Sequence, residues 1–114
     1  MIARGRGTRH VGDLPPPSAV TRREGNILRL DGAVTIQTAA GVLAEAVGQI
    51  RDGVDVIDFG AVSEVDSSAV ALAMALLREA QGAGRTIEFA NLPPAMLNLA
   101  TLYAVADFMP VAPR

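Results

Sequence analysis

Residues 54–77 read VDVIDFGAVSEVDSSAVALAMALL. The first six, Val54 to Phe59, are rich in β-branched residues and too few for a helix, which predicts a central strand. Gly60 to Val65 follow as a loop. Asp66-Ser67-Ser68 then offers three good cap residues in a row, the signal of a helix start. Beyond it Val70, Ala73, Met74 and Leu77 recur at i, i+3, i+4 and i+7, so this stripe is the expected core face. The helix runs to about Gln81 and stops at Gly82-Ala83-Gly84. A strand that feeds a helix through a short loop is the unit of an α/β layer fold.

Towards the N-terminus, Ile27, Leu28 and Leu30 predict a short strand and Asp31-Gly32 a turn. Ala33 to Gln37 predicts a second strand, with Val34 and Ile36 on one face. Thr38 suits an N-cap, and Val42, Leu43, Ala46, Val47 and Ile50 set the helical spacing of residues 39–51, closed by Asp52-Gly53. Towards the C-terminus, Thr86 to Ala90 is a strand. Pro93-Pro94 opens a third helix with Met96, Leu99, Ala100 and Tyr103 on one stripe, and Asp107 to Val111 adds a short extended piece. The predicted order is β-β-α-β-α-β-α, an α/β fold with a mixed sheet packed against helices. Residues 1–24 hold Gly5, Gly7, Gly12 and Pro15-Pro16-Pro17 with little hydrophobic pattern. They read as a disordered basic, Pro-rich tail, leaving one domain at residues 25–114. Its cluster Arg4, Arg6 and Arg9 suits either plain solvation or contact with acidic lipid or RNA.

Composition excludes several functions. There is no cysteine and no lysine, and the one histidine is His10, inside the expected tail. Thiol chemistry, Schiff bases and a histidine-activated serine on the folded body are therefore excluded. Neither a GxxxxGK loop nor a GxGxxG fingerprint occurs. Asp55, Asp58, Glu64 and Asp66 are the acids closest to a metal set, but they lack the spacing of a calcium loop and read as solvated. We expect no enzyme, no cofactor and no metal. Residues 25–114 carry five arginines against ten carboxylates, which argues against a nucleic-acid-binding body. With no apolar run near the ~20 residues of a membrane span and no secretory signal, the expected location is the cytoplasm.

Asp66, Ser67 and Ser68 form the most informative segment. A helix N-terminus presents free N–H groups and the positive end of its dipole, and either Asp66 or Ser67 can cap it. The helix behind it carries no charge before Arg78, and Leu72 and Leu76 lie roughly opposite the expected core stripe, near Ala69 and Ala75. Two readings fit that apolar outer face. Either a tail or a neighbouring helix covers it, or it is a protein-binding face rimmed by small hydroxyls.

The element order, VIDFGAVSEVDSSAVALAMALL (56–77) and NLPPAMLNLATLYAVADFMP (91–110) together resemble the STAS domain family over about residues 25–112. The resemblance implies the SpoIIAA-like arrangement of the mixed sheet and a binding module. Two branches are relevant. In the anti-sigma-factor antagonists, a Ser at this helix start is phosphorylated by a partner serine kinase. In MlaB-type subunits of the Mla phospholipid ABC transporter, which maintains outer-membrane lipid asymmetry, a Thr or Ser there contacts the ATPase. The stretch Leu99 to Val105 resembles the second branch more.

The resemblance thus implies an accessory subunit, cytoplasmic and peripheral to the inner membrane through its partners, an MlaF-like ATPase and its permease. Asp66, Ser67, Ser68, Ala69, Leu72 and Leu76 would form the contact, and Ser67 would be the phosphorylation site under the antagonist alternative. Ala69 departs from the Gly usual in both branches, which puts a Cβ at the expected contact.

Overall fold

Gly25 and Asn26 form a two-residue turn. Glu24 pairs with Ile27 across it, and Gly25 supplies the positive φ, 63°, at the first central position. The computed structural model of the chain describes residues 19–112. The hairpin joins β1 (Ala19–Glu24) to β2 (Ile27–Val34). The chain continues through α1 (Ala39–Arg51), β3 (Val56–Val65), α2 (Ser67–Gly82), β4 (Glu88–Ala90), α3 (Pro94–Leu102) and a 3-10 turn at Ala106–Phe108. The sheet order is β1-β2-β3-β4, with β1 antiparallel to β2 and the other pairs parallel. Past the 3-10 turn, Val111 bridges to Phe89 in parallel, with Phe89 N–H donating to the Pro110 carbonyl and Ala112 N–H to the Phe89 carbonyl.

The order β-β-α-β-α-β-α is found, but its first two strands sit elsewhere. The first strand falls on Ala19–Glu24, within the expected tail, so the domain begins at or before Ala19 and not at residue 25. Residues 1–18 of that expected tail lie outside the described residues. AVTRRE carries almost no hydrophobic signal; polar bonds hold it. The Arg23 guanidinium donates to Asp52 Oδ2 at 2.8 Å, Gln49 Oε1 at 3.0 Å and the carbonyls of Gly25 and Asp52 at 2.8 and 3.0 Å. The two strands expected around Asp31-Gly32 are one strand. That pair stays in register with Ala61 and Val62, between two shifts at each of which β3 carries an extra residue, so the strand runs on where a turn was expected. Likewise β3 does not end at Phe59 but pairs with β2 out to Val65, the 10 residues of β3 lying against the 8 of β2 because β3 takes up one extra residue at each shift.

The three helices lie where the spacing predicts them. Leu28 and Leu30 of β2, Ile57 and Phe59 of β3 and Phe89 of β4 occupy alternate strand positions. They share one core with Val42, Ala46 and Ile50 of α1, Leu72 and Leu76 of α2, and Met96 and Ala100 of α3. Phe59 and Phe89 meet edge to face, centroids 5.8 Å apart. Tyr103, expected on the buried stripe of α3, is its C-cap and is half exposed, because the helix ends at Leu102. The opposite strand positions carry charge: Arg22 faces Asp31 at 3.7 Å, and Arg29 bridges Glu24 at 2.9 Å and Asp58 at 3.3 Å. Among the described residues no helix is long and apolar enough to cross a membrane.

Candidate functional site

The site is organised by one carboxylate. Asp66 follows β3 in extended conformation, φ −132° and ψ −169°. Its Oδ1 accepts from Ser68 N–H at 2.8 Å, capping α2, and its Oδ2 accepts from Ile36 N–H at 3.1 Å. The start of α2 is thereby tied to the loop between β2 and α1. Partial desolvation pushes the Asp66 carboxyl up, but the donors from Ile36 and Ser68 outweigh it and hold it below the usual carboxylate range.

The loop is fixed from its other end by Thr38. Its hydroxyl accepts from Thr35 N–H at 3.0 Å and donates to the Ala33 carbonyl at 2.8 Å. Thr38 sits at the expected N-cap position, yet its side chain makes no bond to the first turn of α1, because these loop bonds occupy it. Held on both sides, the backbone sets Ile36 outward, 77% exposed. Alternation had placed Ile36 on the face of Val34, but β2 ends at Val34 and the alternation ends with it.

Ser67 is exposed and Ser68 half-buried at the start of α2. Three other expected contact residues are not on the surface. Ala69 and Leu76 are 0% exposed and Leu72 only 3%, all within the core. Val70 and Ala73 of the expected core stripe are buried, but the buried face is turned so that Leu72 and Leu76 also face inward, while Met74 and Leu77 are only half-buried at the core's edge. The Cβ of Ala69 points into packed interior and meets no incoming partner.

The outward side of α2 is instead Ala71, Ala75 and Arg78. Together with Ile36, with Ala39, Ala40 and Leu43 of α1, and with Ser68 and the edge of Leu72, they line an open groove of about 400 Å³ between the two helices. The α1 half of this groove was missed from sequence. The signal was present in Ala39 and Ala40, apolar residues beyond the expected stripe of α1; Leu43, expected within that stripe, is half-buried at the groove.

The acids do not gather. Asp58 is buried and accepts from Gly60 N–H at 2.8 Å, Asn91 Nδ2 at 3.0 Å and Arg29 Nε at 3.3 Å. Burial pushes its carboxyl up, but these three donors bring it below its ordinary value. Gly60 belongs to this arrangement, since a Cβ there would lie 3.1 Å from Asp58 Oδ1. Asp55 accepts from Asn26. Among the described residues no three His, Cys, Asp or Glu side chains come together as a metal set. The candidate site is an open, largely apolar groove with the Ser68 hydroxyl in its lining.

A family model described as an MlaB STAS domain matches residues 19–111, which includes β1. No curated relative matches the sequence. Among solved structures the chain is similar to the anti-sigma factor antagonist SpoIIAA in its unphosphorylated form, with a TM-score of 0.63 and 20% identity over 84% of this chain and 89% of that one. It is also similar to the Bacillus cell fate determinant SpoIIAA in its phosphorylated form, with a TM-score of 0.58 and 19% identity over 84% and 92%. At this identity the likeness carries the fold alone.

Proposed function

The chain belongs to the STAS domain family, of the MlaB type, and from that membership we propose that it is a non-catalytic accessory subunit of an ABC-type phospholipid transporter. It docks the MlaF-like ATPase subunit through the groove between α1 and α2 and supports its assembly or ATP turnover. The observation that carries this reading is the fixed apolar surface of exposed Ile36, Ala40 and Ala71 and half-buried Ala75, with Ser68 in the same groove and exposed Ser67 next to it in the chain. An isolated domain gains nothing from holding Ile36 in water with two side chains, whereas a docking surface gains preorganisation. Lipid and nucleotide are handled by the other subunits. The protein reaches the inner membrane only through them, on its cytoplasmic side, in the upkeep of outer-membrane lipid asymmetry.

The test is reconstitution of the chain with the ATPase and permease of its own organism, reading complex formation and ATP turnover. Ser67→Glu and Ala71→Glu each set an unpaired charge in the contact, and we expect each to weaken docking by about tenfold or more while leaving the fold intact. Undiminished binding by both variants would remove this groove as the docking site.

The exposure of Ser67 favours a second reading, an anti-sigma factor antagonist switched by a serine kinase. Its hydroxyl is open to an enzyme, whereas Ser68 is half-buried. A phosphate there adds roughly −1.5 to −2 charge at a favourable helix end but beside the Asp66 carboxylate, and it would eject an apolar partner. Phosphate on Ser67 in the protein isolated from its own cells, together with a bound serine kinase, would replace the transporter reading.

A further inference from the structure

The groove carries information about the shape and charge of what fills it. Its walls are two helices, whose backbone N–H and C=O groups are spent internally. An extended peptide laid there would find no ladder to join, whereas a helix satisfies its own backbone and needs only side-chain contacts. Small residues, Ala39, Ala40, Ala71 and Ala75, line the middle and permit close approach, and Ile36 projects at one end as a fixed knob.

The one charged lining residue is Arg78. Arg22, Arg23, Arg29 and Arg51 are paired with carboxylates, but Arg78 is exposed and makes no ion pair among the described residues. It stands ten positions beyond Ser68, which along α2 is about 15 Å, or roughly three helical turns.

Orientation follows from the same features. A helix running antiparallel to α2 sets its N-terminus at the Arg78 end. Acidic residues are favoured in a first turn by the helix dipole, and there they would also meet the guanidinium. Its C-terminus then lies over the N-terminus of α2, where the two dipoles attract.

Resting on the reading that this face docks a protein, we propose that the occupant is a partner α-helix of about three turns, antiparallel to α2. It presents an apolar face with a socket for Ile36, and an Asp or Glu in its first turn against Arg78. Arg78 is then the residue that selects the partner and its orientation.

The test is photo-crosslinking in the protein's own cells, with the full chain carrying benzoylphenylalanine in place of Ala40 at the groove's rim. It is followed by sequencing of the cross-linked peptide. We expect an apolar helical segment with a carboxylate in its first turn. Arg78→Glu should cut the yield by about tenfold or more, Arg78→Lys should keep most of it, and reversing the partner's carboxylate to Arg should restore Arg78→Glu. Thermal melting of Arg78→Glu, expected at the wild-type temperature, separates lost docking from lost folding.

A cross-link to an extended segment, to a second copy of this chain or to lipid, the absence of any cross-link, or an equal yield from Arg78→Glu would overturn the proposal. The two readings fail differently. An acidic helix from a protein other than an ABC ATPase sinks the transporter reading and leaves this one. An ATPase captured equally by Arg78→Glu sinks this one and leaves the transporter.

Discussion

Asp66 uses one carboxylate for two elements, and both uses can be measured. Asp66→Ala removes the cap of α2 and the bond to Ile36 N–H. We expect a loss of about 1–2 kcal/mol in urea unfolding, with faster hydrogen exchange at Ile36. The carboxyls of Asp66 and Asp58 both titrate below their ordinary value of 3.8 in the folded protein. A depressed folded-state pKa gives stability that is complete above the unfolded pKa and is lost as pH falls through the folded one. Stability should therefore hold above about pH 5 and decline below about pH 4, and Asp58→Asn should flatten that decline in acid titrations. At the other end of the chain, Ala104 follows α3 at φ 60°, a left-handed position where glycine is the unstrained residue. Ala104→Gly should raise the melting temperature, by the equivalent of roughly 0.5–1 kcal/mol.

Among the elements, α2 separates stability from recognition by face. Leu76 is fully buried, so Leu76→Ala should cost about 2–5 kcal/mol in denaturant unfolding. Ala71, exposed one turn into the helix, should accept Glu within about 0.5 kcal/mol while docking is lost. Had the two faces the opposite assignment, the two outcomes would exchange. The sequence could not make that assignment. A helix with no charge from Ser67 to Leu77 has no polar face to orient it, and its rotation is set by α1, α3 and the sheet, which a single-segment pattern does not contain. The helix start itself was readable, because Asp66-Ser67-Ser68 is local chemistry. So were the spans of the helices, each with a clear period or a stop signal. Ile36 was misread for the opposite reason: its alternation with Val34 was real, but the loop bond from Asp66, thirty residues away, ended the strand's influence there.

For the molecule as a whole, the layer order followed from the alternation of strands and helices, whereas its first edge did not. β1 is stabilised by a ladder and by the bonds of Arg23 to Gln49 and Asp52, partners more than twenty residues distant, so AVTRRE looks like tail until the fold is known. A chain beginning at Gly25 would lose that edge and uncover β2. We expect it to show a broadened, less cooperative thermal transition, and a full-length Arg23→Ala chain to lie between the two. The same hairpin bears on how the molecule comes together in time. With only Gly25 and Asn26 between them, β1 and β2 can meet within microseconds, while β2 reaches β3 only after residues 35–55 have wound into α1 and crossed over. The early ribbon therefore waits with an unpaired flank, and the chain's exposure to mispairing with its neighbours is greatest in the interval before β3 arrives.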